Sequence, residues 1–554
     1  MNNKSNAKGI TLIALVITII VLLILAGAAV SIGLNGGDVF NRANQAKTEW
    51  NAKVAEEDAK IKEIWDMLDT DSYTINSIED LVAFAYNVNK GDTEYELYSG
   101  KTVVLGVDLD IQNDKSYANP NAKYVLVDYG YKPDESGTAI KTLLTDTTGI
   151  GFVPIGNGKS NGFAGIFNGR NHSIINLYEN SNNYGGLFGV TNNTISISNL
   201  GIKDCNIQSN APAGGVLGWT GTQDTTVTIQ NCYTTGTVSS NSVTGGIYGG
   251  GSSNAMITNC HNEVAVTGNP AGGIVGNMNS PAVANVIDCY NTGKISSSAP
   301  AGGMIGTAGI ATIRRSYNTG TVSSSSIAGG IIGGTSTITI EDSYNEGNIT
   351  STGAPAGGMI ASASALATIA SCHNSGNVTS SGTNGLYGTA GIIGVSKDAK
   401  IDNCYNSGII SSTNSAGGIL GYTNQGTTEV NVTNCYNTGE ILPNNSDSDY
   451  GGIIGRANTT TNAINCFNSG NILNDQDNIG GHIGGIIGTI YYDNGNLTAI
   501  NCFNGVNLSG KYNIGGILGY SWNSTITNIS NCYNVGSILS ERSYAGGIIG
   551  ARCI

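Results

Sequence analysis

Three acidic pairs, Asp108/Asp110, Asp447/Asp449 and Asp475/Asp477, have the residue type that cleavage of a sugar polymer needs: one carboxyl to donate a proton and one to accept it. The first pair lies in a region without periodicity. The other two sit in Asn/Asp-rich loops without a nearby Lys or Arg, and read as solvated turns with at most weak affinity for Ca2+. The four histidines, His172, His261, His373 and His482, form no His-Glu-x-x-His zinc motif. No catalytic residue, metal site or cofactor is expected from these groups.

Cysteine carries the other conspicuous chemistry. Of 11 cysteines, ten recur at what reads as one position of a repeat: Cys205, Cys232, Cys260, Cys289, Cys372, Cys404, Cys435, Cys466, Cys502 and Cys532. Ser316 and Ser343 replace cysteine in two copies, and Cys553 stands outside the series. If the copies stack in register, neighbouring Cβ atoms are about 4.8 Å apart, whereas a disulfide needs about 3.8 Å. A ladder of buried free thiols is therefore expected.

Two residues beyond the cysteine or serine of each copy from Cys260 onward an asparagine recurs, at Asn262, Asn291, Asn318, Asn345, Asn374, Asn406, Asn437, Asn468, Asn504 and Asn534. Its amide can bond to the next copy's amide, giving a second structural ladder. Between them stands an aromatic residue: Tyr233, Tyr290, Tyr317, Tyr344, Tyr405, Tyr436 and Tyr533, with Phe467 and Phe503, while His261 and His373 replace tyrosine. Exposed, such a stripe would suit sugar stacking or protein contact; packed on itself, it only stabilises the turn, and that second reading is preferred.

The element that positions these residues is a repeat. Gly-Gly-aliphatic-x-Gly recurs in thirteen copies, from GGLFG at Gly185 to GGIIG at Gly546, with GGMIA at Gly357 and AGIIG at Ala390 as variants. Successive copies are 27 to 34 residues apart. Each repeat offers three short β segments separated by turns. No segment holds a 3.6-residue apolar period, which excludes helical repeats, and propeller blades need four strands in about 40 residues. The fold expected is all-β: a right-handed parallel β-helix with coils of about 30 residues, roughly 60 Å long for thirteen coils stacked at about 4.8 Å. The glycines allow φ > 0 at corners and close approach between coils. The aliphatic residue after each Gly pair is expected to point inward. Residues 71–183 should supply a cap and the first irregular coils, with a helix starting at Ser77, and residues 184–554 the repeats.

The N-terminus differs. Ile10 to Leu34 is 25 residues without a charge, preceded by Lys4 and Lys8 and followed by Asp38. That length spans a bilayer as a helix, and the flanking charges keep the N-terminus cytoplasmic. Trp50, Val54, Ile61, Ile64, Trp65 and Leu68 then give one apolar stripe over 35–70, read as a helical stalk. The formal net charge of −14 repels nucleic acid, which is not expected as a partner.

Two resemblances follow from these residues. Lys8-Gly9-Ile10-Thr11-Leu12-Ile13 before an apolar helix resembles the leader of type IV prepilins. It implies residues 1–9 as leader, cleavage after Gly9 and methylation of the new N-terminus at Ile10. Ala14 stands where most major pilins carry glutamate, and the segment is more similar to pilin-like proteins of Gram-positive bacteria. The repeat, over about residues 150 to 554, resembles the GLUG family of bacterial surface adhesins, whose repeats also occur beside catalytic domains in IgA-specific metallo-endopeptidases. Together they imply a single-pass membrane protein with an extracellular C-terminal region. It would be adhesin-like or minor pilin-like, binding a glycan or a host, matrix or cell-surface protein, with possible assembly into a pilus-like fibre. The alternatives are a polysaccharide-active β-helix enzyme, or a spacer for a further C-terminal domain. A functional surface is expected in the loops that vary, at 380–390, 443–450 and 474–483.

Overall fold

The computed structural model describes residues 72–553, apart from 91–97, 99, 112–123, 128–129, 134–150, 157–161, 354, 383–387, 425–428, 445–447, 473–480, 492–495 and 523–524. The leader, the expected span at 10–34 and the stalk at 35–70, with Gly9 and Ile10, lie outside the described residues. Among the described residues no helix is long and apolar enough to cross a membrane.

From about residue 165 the chain is a parallel β-solenoid. One coil illustrates the others. A long strand, Ile305–Arg314, turns a corner into Tyr317–Asn318, then Val322–Ser324, then Ala328–Gly329, and the next coil begins at Ile332. Each piece pairs in parallel with its equivalent one coil on: Ile305 with Ile332, Tyr317 with Tyr344, Val322 with Ile349 and Ala328 with Ala356. Stacking these pieces makes three ladders, of which the Ala-Gly ladder has twelve strands. Alternation along each strand sends one residue in and the next out. Thus Ile338 and Ile340 are buried while Thr337 is exposed. In every coil but the last both residues after the Gly pair are buried, including Phe188 and Tyr248, so this corner fills the core with two consecutive side chains.

Two local devices fix each corner. The residue before the cysteine position takes a left-handed backbone in every coil from Asn199 to Asn531, with φ 45–55°. Asparagine and aspartate tolerate this region best and hold ten of the twelve positions. Arg315 and Ser371 adopt it as well, and Arg315 makes a bidentate pair with Asp288 of the previous coil at 2.7 and 2.8 Å. The second device is the second glycine of the Gly pair. A Cβ on Gly303 would run into the Gly330 carbonyl and the Asn318 amide, so only hydrogen fits where the two walls of the coil meet.

The N-terminal end is closed by a helix, Ile78–Lys90. Ser77 caps it, accepting from the Asp80 N–H at 3.1 Å, while the Asp80 carboxylate accepts from the Asn76 N–H at 2.9 Å. Its face of Leu81, Val82, Phe84, Ala85 and Val88 is wholly buried. Phe84 packs edge-on against Phe163 at 5.3 Å, and Phe163 stacks on Phe188 at 5.8 Å, which carries the cap into the core of the first coils. The stretch 101–111 forms two strands rather than one, Lys101–Leu105 and Leu109–Asp110, because the chain bends at Val107.

Candidate functional site

The cysteines from Cys232 onward form one column, and no disulfide is present. The Cys232 N–H donates to the Cys260 sulfur at 3.4 Å, and the Cys260 N–H to that of Cys289 at the same distance. Each sulfur in turn donates to the carbonyl two residues before it, as Cys289 does to Ile287 at 3.2 Å. Ser316 and Ser343 make the same two bonds with a hydroxyl: Cys289 N–H to Ser316 at 3.1 Å, and Ser316 to the Arg314 carbonyl at 2.8 Å. Burial pushes the Cys260 and Cys289 thiols well above their ordinary range, which makes them poor nucleophiles and poor ligands. Cys205 does not belong to the column. It pairs with Gly236, and Leu200 takes the equivalent place, because Gly201 and Ile202 are in register with Tyr233 and Thr234.

The asparagines form a continuous row. Asn262, Asn291, Asn318, Asn345, Asn374, Asn406, Asn437, Asn468, Asn504 and Asn534 each donate from Nδ2 to the next Oδ1, at 2.6–3.1 Å. The second hydrogen of each amide goes to the carbonyl two residues on, as from Asn318 to Gly320 at 2.8 Å. Thr234 supplies the donor at the near end. Nearly every capacity of these buried amides is filled, which leaves nothing for a ligand.

The aromatic column is stacked on itself. Tyr233, His261, Tyr290, Tyr317, Tyr344, His373, Tyr405 and Tyr436 follow one another with ring centroids 4.6–5.1 Å apart and planes within 7°. Each ring face covers its neighbour, so the column shows edges and hydroxyls to solvent. A sugar stacks on a face, and here the faces are taken.

A different cluster stands outside the repeat pattern. Asp449 was expected in a solvated turn far from any base. Instead its carboxyl is 7% exposed, and its Oδ2 is 3.6 Å from Nη1 of Arg456. Seven residues of chain place Arg456 on the strand that follows the corner carrying Asp449, and the corner folds one over the other. The Arg456 guanidinium lies over the rings of Tyr422, at 5.8 Å, and Tyr491, at 4.7 Å, and its Nε donates to Asn458 at 3.3 Å. Tyr491 stacks on Trp522 at 5.5 Å, and His482 on Tyr520 at 4.3 Å. The Asn513 amide donates to Nδ1 of His482 at 3.3 Å. Burial raises the Asp449 carboxyl, opposed by His482 and Arg456; burial likewise lowers His482, opposed by Asp449. Sequence reasoning missed this group, because its members are spread over 101 positions, Tyr422 to Trp522, and are joined only by stacking.

The remaining acidic positions do other work. Asp108 accepts from the Ser173 N–H at 2.7 Å and from His172, and Asp110 from Asn176 at 2.8 Å, so this pair staples the cap to the first coil. Asp447, Asp475 and Asp477 lie outside the described residues. Glu179 is fully buried; it accepts from the Gly186 N–H at 2.8 Å, and desolvation lifts it well above the usual carboxyl range. Among the described residues no group of three or more His, Cys, Asp or Glu is placed to hold a metal ion.

Comparison with known proteins gives two similarities. No family model matches the chain. A stretch of 103 residues, 18% of the chain, is 36% identical to part of halomucin from Haloquadratum walsbyi, and it spans 1% of that protein's length. A crystal structure of a candidate immunoglobulin A1 protease from Bacteroides ovatus is 19% identical, with a TM-score of 0.36, over 50% of this chain and 77% of that one.

Proposed function

We propose that the chain is a non-catalytic surface protein, adhesin-like or minor pilin-like, that presents the flank of its solenoid to a glycan or to a host, matrix or cell-surface protein. One observation carries this reading: the recurring Cys and Asn side chains are spent on bonds between coils, and the flank they support is polar and uncharged at coil spacing. Ser296, Ser323, Thr350, Thr379 and Ser411 form one such outward row, in register from coil to coil. Hydroxyl rows suit contact with a polymer laid along the coils better than they suit acid–base chemistry. The halomucin similarity supports a surface role. The prepilin-like residues Lys8 to Ile13 support export, with cleavage after Gly9, methylation at Ile10, anchoring by residues 10–34 and assembly into a pilus-like fibre.

The test is binding of the purified chain to a glycan array and to a panel of matrix proteins. Saturable binding to at least one is expected. A folded chain that binds none would sink the proposal. A second reading, catalysis on a polysaccharide, has the buried Asp449 beside Arg456 and His482 in its favour. Release of sugar fragments that stops on Asp449→Asn would support it.

A further inference from the structure

Stacking at the corner of each coil requires a ring and nothing more. Phe467 and Phe503 fill that position and stack at 5.3 Å. Yet from Tyr233 to Tyr436 six of the eight rings are phenols. The hydroxyls of Tyr290, Tyr317, Tyr344 and Tyr405 have no hydrogen-bond partner among the described residues. Holding the coils together does not account for them.

We propose that this column is a path for single oxidising equivalents: a phenol at its solvent edge gives up a hydrogen atom to a radical oxidant, and the vacancy moves from ring to ring along the solenoid. This activity is separate from surface binding and is tested without it.

Three observations lead to it. The first is overlap. Left to themselves, aromatic pairs favour offset or edge-to-face arrangements. Here the parallel register of the coils imposes another. Tyr290, Tyr317 and Tyr344 follow one another at 5.1 and 4.8 Å with planes within 5°, and Tyr405 lies 4.9 Å from Tyr436 at 4°. An electron crosses between parallel π faces far more readily than through saturated side chains of the same thickness.

The second is continuity. Two of the rings are imidazoles, which are harder to oxidise than phenols, but neither opens a gap. His373 lies 5.0 Å from Tyr344 and 4.7 Å from Tyr405, with planes within 7° of both. His261 is held in the same way between Tyr233 and Tyr290. Successive phenols are therefore never more than two coils apart.

The third is a place for the proton. Burial lifts the Tyr290, Tyr344 and Tyr405 hydroxyls above the ordinary phenol range, with neighbouring tyrosines and glutamates adding to it, so each ring starts as a neutral phenol. Loss of an electron alone would leave a cation between two rings. The hydroxyls sit at the edge, where water takes the proton.

The steps balance with a peroxyl radical as the oxidant. It takes the hydrogen atom of one phenol, becoming a hydroperoxide and leaving a phenoxyl radical. In each transfer the neighbouring phenol gives its electron through the ring face and its proton to edge water, and the first phenoxyl gains one of each and is a phenol again. A hydrogen-atom donor in solution ends the sequence by restoring the last phenol.

The experiment starts the vacancy at one end of the full chain and reads where it goes. Thr438 is exposed, two residues beyond Tyr436. Thr438→Cys, with Cys553→Ser removing the exposed native thiol, carries a ruthenium tris-bipyridine label there, and intact mass confirms a single label. A flash with a sacrificial electron acceptor oxidises the label. A nitroso spin trap then marks each tyrosyl radical for peptide mass spectrometry. Adducts are expected at Tyr317 and Tyr290, four and five coils away. Tyr344→Phe keeps a ring in place, as Phe467 does, and should cut those adducts about tenfold or more. His373→Tyr should raise them, a gain that no loss of structure can mimic. Tyr512→Phe, exposed and outside the column, should leave them unchanged. A label that simply reached Tyr290 would be indifferent to Tyr344→Phe. Adducts confined to Tyr436 and Tyr405 overturn the proposal. So do adducts at Tyr317 and Tyr290 that neither Tyr344→Phe nor His373→Tyr alters.

Discussion

The backbone N–H of Cys289 donates to the hydroxyl of Ser316 at 3.1 Å, in the place where the Cys260 N–H donates to the sulfur of Cys289 at 3.4 Å. Serine and cysteine therefore do the same work: each accepts from the coil before and donates to its own corner. Ser316→Cys should change stability by less than about 1 kcal/mol, whereas Ser316→Val, which leaves the Cys289 N–H unsatisfied, should cost about 1–3 kcal/mol. Denaturant melts of both variants would decide it; equal losses would refute the equivalence.

The same column predicts thiol reactivity. Nine cysteines are buried, Cys532 is partly buried and Cys553 is exposed. In the native chain an alkylating reagent should label Cys553 first and Cys532 slowly. The other nine should label only after denaturation, as counted by intact mass. Early labelling of Cys404 or Cys435 would contradict the buried column.

Cutting the amide row should be expensive and local. Asn318→Ala removes the donor to Asn345 and to the Gly320 carbonyl and strands the Asn291 amide, for about 2–4 kcal/mol. Coils contact only their neighbours, so faster hydrogen exchange should appear around residues 291–347 and not near Asn468. A loss spread over all coils would argue against nearest-neighbour coupling.

Glu179 gives a pH test. Its folded pKa is raised by burial, so folding holds the proton more tightly than the unfolded chain does. That contribution is complete below the unfolded carboxyl value of about 4.3 and is lost as pH rises toward the folded value. Glu179→Gln should therefore raise the thermal midpoint at pH 7.5 and change it little at pH 4. A gain of equal size at both pH values would show that the carboxyl is not the cause.

His261 and His373 test the ring column from the other side. Burial lowers both, so their neutral form is the one the fold accepts. Stability from such a group is present above the unfolded value of about 6.5 and is lost as pH falls through the folded one. Tyr317→His should be close to neutral at pH 8 and destabilising at pH 5, and Tyr317→Ala should cost about 1–3 kcal/mol at either pH. Thermal melts at the two pH values check both.

Much of this architecture was legible in the amino-acid sequence, because the Gly-Gly-aliphatic-x-Gly repeat makes each coil a copy of the last. Stacking then predicts which residue types meet. What stayed hidden depended on single departures from the copy. Cys205 looked like a ladder member, but Gly201 is in register with Tyr233, so Cys205 falls beyond the ladder position, opposite Gly236. Asp449 looked solvated, because Arg456 reaches it only after the chain turns a corner. The left-handed residue before each cysteine was written in the Asn-Cys-Tyr-Asn motif, but Arg315 and Ser371 disguise it. The Arg456–Trp522 group could not be read in one dimension, since stacking assembles it from four coils.

Each coil from Cys260 to Asn534 presents the same spine above and below: one amide, one thiol or hydroxyl, one ring. Register offsets between neighbouring asparagines nevertheless run from 27 to 36 residues, with the surplus pushed into the outer bends. A whole turn can thus be duplicated or excised by unequal recombination and the cut faces will still mate. The reach of the protein becomes a heritable dial, adjustable in single steps, while the outer bends diversify independently of the spine that carries them.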